Sequence, residues 1–195
     1  YCNGTTARNI RDYKGSGNWD LYVIPFEGGI EKKLTSWEGN DFFPALSSDG
    51  AHVAFLAREG KTVIAVQDDK ILARASYIGA PILDAQGDAA FWVQQDNRWT
   101  LLWKGRPAPG TPFSARGSNT SPTEVSPPAF SLDGRHVAYS RRGADGRYVV
   151  VRDGKSGTAY LSVGDPVFSP DSASMAYGAA AGPDYELNTL VLDDR

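Results

Sequence analysis

Apolar and polar positions along this chain recur in a set phrase: a proline, a short apolar stretch, a tight polar turn, then a strand mixing small and large apolar residues. It reads Pro44-Ala-Leu-Ser-Ser-Asp49-Gly50-Ala-His-Val-Ala-Phe55, then Pro128-Ala-Phe-Ser-Leu-Asp133-Gly134-Arg-His-Val-Ala-Tyr139, then Pro166-Val-Phe-Ser-Pro-Asp171-Ser-Ala-Ser-Met-Ala-Tyr177. A worn copy stands at Pro81-Ile-Leu-Asp-Ala-Gln86-Gly87-Asp-Ala-Ala-Phe91-Trp92. The prolines fall 37, 47 and 38 residues apart. A period of about 40 residues marks a repeat in which each unit buries its apolar face against the next.

Each unit reads as strands. The Asp49-Gly50 and Asp133-Gly134 pairs predict hairpin turns, because a two-residue turn that matches strand twist needs positive φ. The next strand carries Val-Ala-Phe, Val-Ala-Tyr or Met-Ala-Tyr. A β-rich third run follows at Thr62–Val66, Trp99–Trp103, Tyr148–Val151 and Thr189–Leu192. With room for a weaker fourth strand and no helical period, the cue is a propeller blade. The predicted fold is therefore all-β, a β-propeller or an incomplete propeller segment of about four to five four-stranded blades. Residues 1–195 form one domain, with a partial blade at 18–36, repeats starting near 41, 78, 125 and 163, and a Pro/Ser/Gly/Thr-rich loop insertion at 106–127. The chain opens and closes in mid-unit, which favours a piece of a longer chain over an irregular ring.

The phrase Pro-x-aromatic-Ser-x-Asp-Gly-x-x-Val-Ala-aromatic, preceded by Asn18-Trp-Asp-Leu-Tyr-Val23 and by Lys33-Leu-Thr35, resembles the repeat of TolB-like β-propellers. The resemblance covers most of the chain from Trp19 onward. It implies a periplasmic or extracellular protein that binds other proteins, and no catalytic residues, since the repeat letters are structural. Two corners depart from the pattern: Asp84 and Gln86 stand where Ser and Asp are expected, and Ser172 stands for Gly.

Composition narrows the partners. A net charge of −3 leaves no basic excess for nucleic acid. No apolar run approaches the roughly 18 residues of a membrane span. Cys2 is the sole cysteine, so no internal disulfide forms; its place near the start admits a lipid anchor, against which Tyr1 argues. His52 and His136 occupy the same repeat position, where the other copies are read as Ala89 and Ser174, so neither has the singularity of a triad histidine. No metal-ligand cluster, phosphate cradle, cofactor pattern or serine-nucleophile elbow is present in the sequence.

The candidate partner-binding residues lie on the loops entering each first strand: Trp37, Glu38, Asp41, Phe42, Glu124 and Asp165. Aromatic residues on such a rim serve as anchors; Trp37 is the one expected to be exposed and Trp92 the one expected to be buried. The sequence thus points to a non-catalytic scaffold for another protein within a larger assembly. Two alternatives stand beside it. One is the propeller part of a prolyl oligopeptidase-type peptidase. The other is a glycan-binding or glycan-cleaving propeller, in which at least two of Glu38, Asp41, Glu124 and Asp165 would have to meet across a funnel.

Overall fold

The computed structural model describes residues 2–4, 19–25, 27–35, 39–114, 124–182 and 188–193. These build five antiparallel sheets, with no α-helix among the described residues. Sheet I holds Cys2–Gly4, Trp19–Val23 and Lys32–Lys33, and sheet II holds Asp41–Leu46, Val53–Glu59, Thr62–Gln67 and Lys70–Ala75. Sheet III runs from Tyr77–Ile78 and Ile82–Leu83 through Ala89–Gln95 and Arg98–Trp103 to Arg106–Pro107 and Phe113–Ser114. Sheet IV holds Ala129–Phe130, Val137–Arg142, Tyr148–Arg152 and Lys155–Ser156. Sheet V holds Ser162–Val163, Val167–Phe168, Met175–Ala180 and Asn188–Asp193.

The repeat proline interrupts the first strand of each of sheets II to V. Without an N–H it cannot continue the ladder. In sheet II the register shifts between Phe42 and Ala45, around Pro44. In sheet III pairing stops at Ile78 and resumes at Ile82, around Pro81.

The sheets stack face to face in chain order. Leu21 of sheet I packs with Phe55, Ala57, Ile64 and Val66 of sheet II. The other face of sheet II, Ala54, Leu56, Val63 and Ala65, packs on Ile78, Ala89, Phe91 and Val93 of sheet III. Trp92, Trp99, Leu101 and Trp103 meet Val137, Tyr139 and Val151 of sheet IV, and Ala138 and Val150 meet Met175, Tyr177 and Ala179 of sheet V. Both faces of a middle sheet are covered, which is why its central strands read as near-continuous apolar runs. Trp99 has no exposed surface; removing an indole of about 200 Å² from water contributes up to about 5 kcal/mol.

Three sequence expectations change. The Asp-Gly pairs are not two-residue hairpins. Ser47 N–H reaches the His52 carbonyl at 2.9 Å, and Gly50 N–H reaches the Ser47 carbonyl at 2.9 Å, so the corner is a six-residue loop with only Gly50 at positive φ (72°). Two-residue hairpins with both residues at positive φ do occur among the described residues, at the third-to-fourth strand turns Asp68-Asp69, Lys104-Gly105 and Asp153-Gly154 and at the second-to-third strand turn Asp96-Asn97 of sheet III. Second, the sheet III corner is one residue shorter, since Asp84 N–H bonds the Asp88 carbonyl at 3.0 Å. The residue equivalent to His52 and His136 is therefore Asp88, not Ala89. Third, the segment 106–127 is not loop throughout. Arg106–Pro107 and Phe113–Ser114 both pair with Arg98–Trp103, and Ala108 between them is buried. Proline is tolerated on such an outer strand because one edge needs no donor.

Candidate functional site

Alternation of strand direction gives the sheets two ends. At one, the mouth end, lie the entries to the first strands and the second-to-third strand turns. At the other lie the Asp-Gly corners and the third-to-fourth strand turns.

The corner end absorbs its polar residues into its own backbone. Asp49 Oδ1 accepts from Ser47 Oγ at 2.6 Å and from Ala51 N–H at 3.0 Å, while Ser47 Oγ accepts from His52 N–H at 2.9 Å. Asp133 and Ser131 do the same with Arg135 and His136, and Asp171 and Ser169 with Ala173 and Ser174. In all three the serine hydroxyl, then the backbone N–H, holds the carboxyl below the usual carboxylate range. In the departed corner, Asp84 takes the serine's place. Its Oδ1 accepts from Gln86 and Asp88 N–H, both at 2.9 Å, and its Oδ2 accepts from Trp103 Nε1 at 2.8 Å. Gln86, released from the turn, donates to the Leu132 carbonyl of sheet IV at 2.9 Å.

At the mouth end the predicted residues divide. Trp37 and Glu38 lie outside the described residues. Asp41 pairs with Ala57, a cross-strand position held by Ile78–Val93, Val125–Arg141 and Val163–Ala179 in the next three sheets. Sheet II thus carries a carboxylate where its siblings carry an apolar side chain on the first strand. Asp41 has no exposed surface, and neither oxygen has a donor in hydrogen-bonding geometry. Burial pushes its carboxyl up to about 6; the Thr35 hydroxyl nearby pulls in the opposite direction. Glu124 is also buried and accepts the Trp99 indole N–H at 3.1 Å. Trp99 is flanked on its other side by Tyr77, ring centroids 5.5 Å apart and perpendicular. Asp41 thus lies beside Thr35, whereas Glu124 bonds Trp99 of sheet III.

Phe42 is half-buried, with the Arg58 guanidinium 6.0 Å from its ring centroid. Asp165 is exposed. Phe43, one of the rim aromatics before Pro44 but not among the six candidate residues, is 57% exposed and has φ of 52°. A bulky residue in the left-handed region is strained, and no sequence pattern signals that backbone conformation. Phe43, Ala80, Pro127 and Asp165 each stand immediately before a repeat proline, and all four are exposed. Trp92 is buried as expected; its indole donates to the Ser126 carbonyl at 2.8 Å. Beside it, burial pushes the Tyr139 phenol up to about 12, so it stays protonated and donates to the Pro109 carbonyl at 3.3 Å.

Four-stranded antiparallel sheets stacked face to face in chain order define a β-propeller type of protein. Comparison with solved structures places the chain beside TolB from Acinetobacter baumannii (14% identity, TM-score 0.53, 90% of this chain and 46% of that one). It is also similar to the β-propeller domain of the trilobed protease from Pyrococcus furiosus, described as having an open velcro topology (15% identity, TM-score 0.60, 93% and 62%). Acylaminoacyl peptidase is a third (12% identity, TM-score 0.56, 92% and 34%). The chain spans less than two thirds of the length of each. No protein-family pattern matches it, and no curated protein sequence does. No helix among the described residues is long and apolar enough to cross a membrane.

Proposed function

We infer that the chain is a non-catalytic scaffold of TolB-like propeller type that grips another protein with its mouth loops, in the cell envelope or outside the cell. The observation that carries this reading is the position before each repeat proline. The corner positions repeat Ser, Asp and Gly because the turn needs them. The pre-proline position is exposed in four successive sheets and holds Phe43, Ala80, Pro127 and Asp165. A row of exposed positions released from turn mechanics is where recognition can vary without cost to the fold. Phe43 adds an aromatic anchor held outward against backbone strain.

The test is gentle co-purification of the full chain with cross-linking, comparing wild type with a Phe43→Ser/Asp165→Lys double variant. A companion present with wild type and lost with the variant supports the reading; a companion held equally by both contradicts the mouth as the contact.

A second reading, that the chain is the propeller portion of a peptidase, rests on its likeness to the propellers of the trilobed protease and acylaminoacyl peptidase. A hydrolase domain encoded in the same gene would favour it.

A further inference from the structure

Three equivalent turns close the corner end of sheets II, III and IV, and each ties an ionisable residue on the turn to the residue that opens the second strand. In sheet IV, Asp153 accepts Val137 N–H at 3.0 Å and meets His136 Nδ1 at 2.7 Å. The Arg152 guanidinium, 3.8 Å from the same carboxylate, keeps a permanent positive charge there. In sheet III the signs are exchanged: Lys104 sits on the turn and Asp88 at the strand opening, 3.8 Å apart, and Lys104 also donates to the Gly134 carbonyl at 2.8 Å. In sheet II, Asp68 accepts Val53 N–H at 3.0 Å and meets His52 Nδ1 at 2.7 Å. Where Arg152 stands in sheet IV, sheet II has the neutral Gln67. Of the three clasps, only this one draws its positive charge from a proton alone.

The same residues join sheet II to sheet III. Gln67 Nε2 donates to the Gly87 carbonyl at 2.7 Å, and Gln67 Oε1 accepts Ala89 N–H at 3.0 Å. The His52 ring lies so close to Gly87 that no Cβ fits there. The charged groups facing His52 are Asp68 on the turn, Asp49 in its own corner and Asp88 on sheet III, all acids.

We propose that the corner joining sheets II and III is a proton-operated clasp. With an imidazolium at His52, the Asp68 turn, Gln67 and the Gly87 corner are held together. With a neutral imidazole the clasp loses its charge and opens more often, while the corners of sheets III and IV keep a permanent cation. The hydrogen bond that His52 Nδ1–H donates to Asp68, then the charge of that carboxylate, raises the pKa of His52 above that of an ordinary imidazole. The closing contribution is therefore full below about pH 6.5, the ordinary imidazole value, and is lost as pH rises through the raised value.

Amide hydrogen exchange of the full chain by NMR between pH 6 and 8.5, corrected for intrinsic rates, tests this. Protection at Val53 and Ala89 is expected to fall about two- to five-fold, the range for one partly exposed ion pair, with the same midpoint as the His52 Cε1–H titration. Val137 serves as the internal control and holds its protection. Asp68→Asn returns the His52 midpoint to the ordinary value and flattens the Val53 profile. Protection at Val53 and Ala89 that ignores pH, an equal loss at Val137, or a wild-type His52 midpoint at or below the ordinary imidazole value overturns the proposal; the wild-type titration needs no variant to fold.

Discussion

Asp84 accepts the indole N–H of Trp103 at 2.8 Å, and that one bond explains why the sheet III corner departs from the serine pattern of its neighbours. A serine at 84 would serve the turn but could not also reach the indole. The carboxylate does both, satisfying two backbone N–H groups with one oxygen and the tryptophan with the other. Both residues are buried, so an unpaired partner is costly. Asp84→Ser is expected to lower stability by about 1–2 kcal/mol and Asp84→Ala by about 2–4 kcal/mol, read from urea midpoints. Equal stability of Asp84→Ala and wild type would remove the explanation.

Asp41 gives a pH dependence of definite sign. Its carboxyl is raised to about 6 in the fold from an ordinary 3.8, so between those values the unfolded chain has released a proton that the folded chain keeps. Stability attributable to this group therefore falls as pH rises from about 4 to about 6 and stays reduced above, by on the order of 3 kcal/mol. Asp41→Val, the residue type of Val125 and Val163 at the same repeat position, removes the slope and raises stability at pH 7.5. Parallel urea curves at pH 4 and 7.5 for both proteins check it; a variant less stable at pH 7.5 would show that the carboxylate is satisfied there.

Phe43 offers a change that separates fold from contact. Glycine adopts φ near 52° without strain, and little burial is lost at a residue already 57% exposed. Phe43→Gly is expected to be about 0.5–1 kcal/mol more stable than wild type while losing affinity for the companion protein. Loss of stability instead would mean that the ring packs more than it presents.

Glu124 and Trp99 form the bond that holds the entry to sheet IV against sheet III. Glu124→Gln keeps an acceptor and is expected to change thermal stability little. Glu124→Ala, leaving a buried indole N–H without this partner, costs about 1–3 kcal/mol. A matching loss in both variants would assign the effect to charge.

Much of the architecture is legible in the sequence because its signals are local. The four prolines locate the broken first strands, and β-rich runs locate the third strands at Thr62–Gln67, Arg98–Trp103, Tyr148–Arg152 and Asn188–Asp193. What escapes the sequence is non-local or degenerate. Gly-Asp-Ala-Ala after Gln86 aligns as readily with Ala89 in the histidine slot as with Asp88, and only the closing bond from Asp84 to Asp88 decides. Pro107, Pro109, Gly110 and Pro112 read as loop, yet an outer strand can absorb prolines that an inner one cannot. The loops before the prolines lie at the mouth end, and Asp165 is exposed there as is Phe43, whereas Asp41 and Glu124 are buried among contacts that no local sequence pattern shows.

On the proposed function, the corner end is mechanical and the mouth end makes contact with a partner. The most direct measurement is quantitative retention of a cross-linked companion by wild type, by Phe43→Ser/Asp165→Lys at the mouth, and by His136→Gln at the corner. Loss confined to the mouth variant is the predicted result. A wild-type chain with no companion, or loss confined to the corner variant, would contradict it.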